Sequence, residues 1–154
     1  MHALQALGER LVGVSAERLA EIGLPEDLLA AVRDAQRMTA REARRRQLQY
    51  IGRLMREVDP APIRAKFEEW EGKLAAHTAM HRLAESWRER LLAEEDALTA
   101  FAQAVPAADL TALRGLVREA RREQAAGQPP RRYRELFRLV RALLEDAAPG
   151  AAAT

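Results

Sequence analysis

Three groupings of side chains in this sequence could do chemistry. The first is the run Arg41-Glu-Ala-Arg-Arg-Arg-Gln-Leu-Gln-Tyr-Ile-Gly-Arg-Leu-Met-Arg56. Residues 31–56 hold eight arginines against Asp34 and Glu42, a local charge of +6. An ordinary solvated helix face mixes its signs so that i,i+4 pairs form. This one barely does, and the partner it suits is a polyanion. The bland alternative is an exterior face whose arginine stems simply cover apolar surface. The second grouping, across residues 112–141, sets nine arginines against Glu119, Glu123 and Glu135, again +6. The third is His77, His81 and Glu85, successive turns of one helix side, a spacing that can hold Zn²⁺. No fourth ligand accompanies it, and Thr78 and Ala79 stand where a metalloprotease helix carries its glutamate. No metal is assigned; polar residues on a long helix are the simpler reading.

Other chemistries are absent from the residue types. Without cysteine there is no thiolate nucleophile and no disulfide framework. No glycine-rich phosphate loop, dinucleotide fingerprint or nucleophile elbow is present. The carboxylate clusters Glu68/Glu69/Glu71 and Glu94/Glu95/Asp96 fall in acidic segments and balance the basic blocks. The expectation is a protein that is not an enzyme, with no cofactor and no small-molecule substrate. No apolar run approaches the ~20 residues that span a bilayer, and the start lacks the basic and apolar regions of a secretory signal. A cytoplasmic location is expected, with no membrane partner.

The elements that must carry these groups are helices. Of the 154 residues 48% are apolar, much of that alanine and leucine, with few aromatics. That is the make-up of an all-α chain. A first amphipathic helix is expected over residues 2–12, with Leu4, Leu7 and Leu11 on one face and Gly13 closing it. Ser15 is placed to cap a short helix ending near Ile22. Pro25, Glu26 and Asp27 suit the first turn of a third helix, with Leu28, Leu29, Val32 and Ala35 inward. Then either Thr39 caps the Arg-rich helix or one helix runs unbroken from 25 to 57.

On that Arg-rich helix, Ala40, Ala43, Leu48, Ile51, Leu54, Met55 and Val58 gather on one side. Arg41, Arg45, Arg46, Arg53 and Arg56 gather on the other with Gln49 among them. Arg44 points into the apolar arc, and a buried stem paired with a carboxylate from another helix is its expected state. Tyr50, at the border, could stack on an unpaired base or pack into the core.

Asp59-Pro60-Ala-Pro62 is the clearest break, and Asp59 is expected to cap the helix that follows. That helix runs to about residue 93 and would be ~50 Å long. Ile63, Phe67, Trp70 and Leu74 share one face; Met80, Leu83, Trp87 and Leu91 share another, turned by roughly a third of a turn or more. A helix that packs into one bundle and then, near residues 75–78, leaves for a second explains the shift. The expected domains are therefore 1–75 and 76–146, with 147–154 a disordered tail. Within the second, short helices are expected over 94–104, 110–125 (capped by Asp109) and 131–145. Leu110, Leu113, Leu116, Val117 and Ala120 face inward on one, and Tyr133, Leu136, Phe137, Val140 and Leu144 on the next. Gly127-Gln-Pro-Pro130 is a stiff loop.

The run Ala43-Arg-Arg-Arg-Gln-Leu-Gln-Tyr-Ile-Gly-Arg-Leu-Met-Arg56 resembles the signature of the YjgA/DarP family of dual-action ribosomal maturation proteins. So does a second block: Leu113-Arg-Gly-Leu-Val-Arg-Glu-Ala, then Glu123, Pro129-Pro130 and Arg134-Glu-Leu-Phe-Arg138. The likeness covers roughly residues 4 to 146. Members often begin with an acidic extension, whereas here Met1 stands almost at the first helix. The resemblance implies an elongated dumbbell, two small helical bundles joined by a long shared helix. It further implies a non-enzymatic factor that binds late precursors of the large ribosomal subunit and aids maturation of the peptidyl transferase centre. The partners would be ribosomal RNA and those precursor particles, and a monomer is expected. The RNA-binding residues are then expected to be two sets. One is Arg41, Arg45, Arg46, Gln49, Arg53 and Arg56. The other is Arg114, Arg118, Arg121, Arg122, Arg131, Arg134, Arg138 and Arg141. A helical adaptor for an acidic protein is the alternative, separable by the salt dependence of binding.

Overall fold

The computed structural model describes residues 2–148, and every regular element among them is an α-helix. In chain order these are α1 (His2–Val12), α2 (Ala16–Ile22), α3 (Glu26–Arg37), α4 (Arg41–Met55), α5 (Ala61–Ala93), α6 (Ala97–Ala104), α7 (Leu110–Ala125) and α8 (Arg131–Ala147). No helix among the described residues is long and apolar enough to cross a membrane. The chain divides at Gly72 and Lys73 into two compact units, and α5 supplies core residues to each.

The helix starts follow the capping side chains. Ser15 accepts a hydrogen bond from the Arg18 N–H at 3.4 Å, Asp59 from Ala61 at 3.1 Å, and Asp109 from Thr111 at 2.9 Å. Each satisfies an N–H that has no partner inside its helix. Pro25 stands one position ahead of α3 rather than within its first turn. The chain breaks between α3 and α4, so no single helix spans 25–57. Thr39 is not the cap of α4 either: Ala40 holds that place and makes no side-chain hydrogen bond.

The first core gathers Leu7 and Leu11 of α1, Leu19 of α2, Leu28 and Val32 of α3, Ile51 and Met55 of α4, and Ile63, Phe67 and Trp70 of α5. Leu29, expected inward, is only partly buried. At the contact between α1 and α4 both helices use glycine. A methyl added to Gly8 would lie 2.9 Å from Ile51 Cγ2, and one on Gly52 would fall onto the Gln5 amide. Each glycine thus makes room for side chains of the opposite helix.

The second core gathers Ala84 and Leu91 of α5, Ala97 and Phe101 of α6, Leu113, Val117 and Ala120 of α7, and Leu136, Val140 and Leu144 of α8. Tyr133, Phe137, Leu110 and Leu116 are half-buried. Two expected stripe residues of α5 are exposed, Leu74 at 65% and Leu83 at 45%. Leu74 continues the line of Ile63, Phe67 and Trp70 but lies one turn past the last residue of that core. Leu83 sits roughly 80° off the line through Met80, Ala84 and Leu91. Helix α6 begins at Ala97 rather than 94, and α8 continues to Ala147. Residues 149–154 of the expected tail lie outside the described residues.

Candidate nucleic-acid interface

Helix α4 is held on its inner side by side chains that seek backbone carbonyls. Gln47 Nε2 donates to the Ala31 carbonyl of α3 at 3.0 Å, and Gln5 Nε2 of α1 donates to the Leu48 carbonyl at 3.0 Å. Arg44 Nη1 donates to the Ala35 carbonyl near the end of α3 at 3.2 Å. Arg44 thus differs from expectation. The residue is exposed and its partner is a helix-end carbonyl, not a carboxylate: the Ala35 oxygen accepts from the Met38 N–H at 3.2 Å and offers its second lone pair to Arg44. With Ile51 and Met55 fully buried, the rod cannot rotate without breaking these bonds.

All six nominated residues of α4 and its C-cap are exposed, and they spread over one arc of roughly 140°. At about 100° per residue, Arg46 and Arg53 lie within roughly 20° of each other, with Gln49 and Arg56 on one flank and Tyr50 on the other. Arg45 and Arg41 form the far edge of the same arc, each roughly 20° from the direction of Gly52, on the turns before α1 makes contact. Arg46 and Arg41 have no ion pair or side-chain hydrogen bond among the described residues. Arg45 meets Glu42 at 3.3 Å across two well-exposed side chains, a contact weak enough to yield to a phosphate. The Arg53 guanidinium lies 5.8 Å from the Tyr50 ring centroid.

The second set is less available. Arg121 donates from Nε to the Leu92 carbonyl at 3.1 Å and from Nη2 to the Leu91 carbonyl at 2.9 Å, closing the end of α5. Arg141, its side chain 20% exposed, is engaged by Glu145 at 2.8 Å. It also donates to Nδ1 of His77 at 2.9 Å and of His81 at 3.3 Å. Arginine has no acceptor, so both imidazoles accept at Nδ1 and carry their proton on Nε2. His81 can then donate to Glu85, 3.2 Å away. A guanidinium therefore occupies the space that a cation between the two histidines would need. Arg121 and Arg141 serve the fold rather than an open basic surface. Arg114, Arg118 and Arg122 line a cleft with Glu94 and Glu95, and Arg122 and Arg131 another with Glu119 and Glu135. Arg134 and Arg138 are exposed with no ion pair among the described residues.

Two residues that carry much of this arrangement escaped the periodicity argument. Glu123, 7% exposed, accepts from the Arg132 N–H at 2.9 and 3.1 Å and from the Tyr133 N–H at 3.2 Å. Burial alone would raise its carboxyl; the backbone N–H groups at the start of α8 outweigh that and hold it below its ordinary range. The loop before α8 helps. Gly127, at φ +64°, lets the Gln128 N–H reach back to the Glu123 carbonyl at 3.0 Å, the closing bond of a helix C-terminus. The second residue is Arg132, whose guanidinium bridges Glu135 at 2.8 Å and Glu119 at 3.1 Å. The advance signals were the position of Glu123, an acid on the apolar side of α7, and its place in the second family-like block.

Other arginines lie over rings at the edges of the two cores. Arg10 is 4.1 Å from the Phe67 centroid, Arg88 3.8 Å from Tyr133 and Arg90 4.5 Å from Trp87. These cations cover aromatic faces, so positive charge here has two separate uses.

A family model described as the dual-action ribosomal maturation protein DarP matches residues 1–141. A relative of that description from Nitrosomonas europaea is 47% identical over 146 residues, covering 95% of this chain and 82% of its own. One from Chromobacterium violaceum is 48% identical, covering 95% and 81%. One from Aromatoleum aromaticum is 46% identical, covering 96% and 78%.

Proposed function

The chain belongs to the family of dual-action ribosomal maturation proteins, and from that membership we propose a ribosome assembly factor that acts by binding and not by catalysis. Its ligand is ribosomal RNA in late precursors of the large subunit, and the step it aids is maturation of the peptidyl transferase centre. The observation that carries the reading is the outer side of α4. Arg46 and Arg53 stand exposed on a helix whose inner side is locked to α1 and α3. Guanidinium groups held in this way meet phosphates without first losing the freedom of a mobile segment. Recognition is by phosphate contact and shape, since the major groove of A-form RNA is too deep and narrow for side chains to read. Arg41, Arg45, Gln49 and Arg56 extend this contact, and Arg134 and Arg138 of α8, with Arg114, Arg118, Arg122 and Arg131, supply a weaker one. The factor holds an RNA helix while neighbouring elements settle.

The test is co-sedimentation with large-subunit precursors on a sucrose gradient. Replacing Arg45, Arg46 and Arg53 together by Glu should move the protein to the top of the gradient with its helical circular dichroism unchanged. Affinity should fall on the order of 100-fold, three phosphate contacts having become repulsions. Co-sedimentation that persists in the folded variant contradicts the assignment.

A further inference from the structure

Tyr50 is one of the few large apolar side chains left exposed, at 40%, and it stands between the two arginines that define the outer side of α4. Arg46 is four residues before it and Arg53 three after, so both lie one helical turn away on the same side. Along the axis the backbone positions of the two arginines are about 10.5 Å apart, with that of Tyr50 between them. The ring is partly supported by the helix, and the Arg53 guanidinium lies 5.8 Å from its centroid. Across the helix, Gln47, Ile51 and Met55 face α3 and α1, leaving the side that carries Tyr50 open. Glu57, exposed on the same side two turns on from Tyr50, and Glu42 near the start of the helix bound the cationic segment.

We propose that Tyr50 is a stacking platform for one unpaired base, with Arg46 and Arg53 meeting the phosphates on either side of that nucleotide. The inference rests on the RNA-binding reading above and adds the kind of element bound: a bulge or loop, not a continuous duplex. Aromatic rings and guanidinium planes are the surfaces on which unpaired bases stack. Tyrosine does so at low cost, having only two side-chain torsions to fix. A base held in this way has its neighbouring phosphates within reach of side chains on the adjacent turns, whereas a fully paired helix offers this ring only its backbone.

Two RNA hairpins differing by a single bulged adenosine test this, with 2-aminopurine in the bulge as a reporter of stacking. The full chain should bind the bulged hairpin about 5- to 100-fold more tightly than the paired one and quench the reporter. Tyr50→Phe should keep both properties. Tyr50→Ala, which should fold because alanine suits an exposed helix position, should lose the preference and the quenching while its affinity for the paired hairpin is retained. Replacing Arg46 and Arg53 by Ala should weaken both hairpins alike. Equal binding of the two hairpins by the unaltered chain, or a preference that survives Tyr50→Ala, overturns the stacking site and leaves the RNA-binding reading standing. Binding of neither hairpin overturns both. Binding of an oligoglutamate peptide with no binding of RNA assigns the face to an acidic protein and also overturns both.

Discussion

The basic stretches of the two units have the same formal charge, +6 over residues 31–56 and +6 over residues 112–141, yet they present different amounts of it. Around α4 the nearby acids are few: Arg41 and Arg46 have no ion pair among the described residues, and Arg45 has a weak one with Glu42. In α7 and α8 several arginines are engaged within the fold. Arg121 closes the end of α5, Arg141 is clamped by two imidazoles and a carboxylate, and Arg132 bridges Glu119 and Glu135. What decides availability is the position of carboxylates and free carbonyls near each guanidinium, which a charge count does not contain.

That contrast can be broken or sharpened by substitution. The largest separation should come from reversing Arg118, Arg134 and Arg138 to Glu, the counterpart of the α4 triple variant. Precursor affinity should fall about tenfold or less, against the order of 100-fold for α4. An equal loss in both, measured on the same gradients, would erase the distinction. Arg141→Ala comes next. It should lower stability by about 1–2 kcal/mol through loss of several hydrogen bonds, read as a lower urea midpoint. Precursor binding should change less than twofold. A large binding defect in the folded variant would return Arg141 to the interface.

The smallest effect concerns Glu123. Because its carboxyl is held below the ordinary value of 4.5, the folded state binds that proton less readily than the unfolded chain. The stabilisation is fully present above about 4.5 and disappears as the pH falls through the lower folded value. Glu123→Gln keeps one accepting oxygen but removes the charge. Thermal midpoints at pH 7 should drop by a few degrees, and the acid-side decline in midpoint should flatten. An unchanged pH profile would show that the start of α8 does not depend on this carboxylate.

Much of the architecture was legible because local rules coincide with it. Ser15, Asp59 and Asp109 mark helix starts by chemistry that acts within three residues, and the leucine spacings of α1, α7 and α8 mark their inner sides. The limits of that reading have physical causes. Leu74 obeys the periodicity of α5, but no local signal says where the first core ends. Leu83 falls at the edge of its stripe, and Thr39 was a reasonable cap that the chain did not use. For the site, residue type and periodicity identified α4 and its arginines. They left Tyr50 open between core and surface, and the structure leaves it 40% exposed. They also treated Arg121 and Arg141 as equivalent to Arg134 and Arg138.

The sequence by itself determined the helices, the basic and acidic segments and the likeness to ribosomal maturation proteins, since each depends on neighbours a few positions apart. Tertiary structure alone decided which cations are free. A guanidinium reaches several ångströms from its own backbone, and whether it finds an imidazole, a helix-end carbonyl or solvent depends on residues 60 positions away.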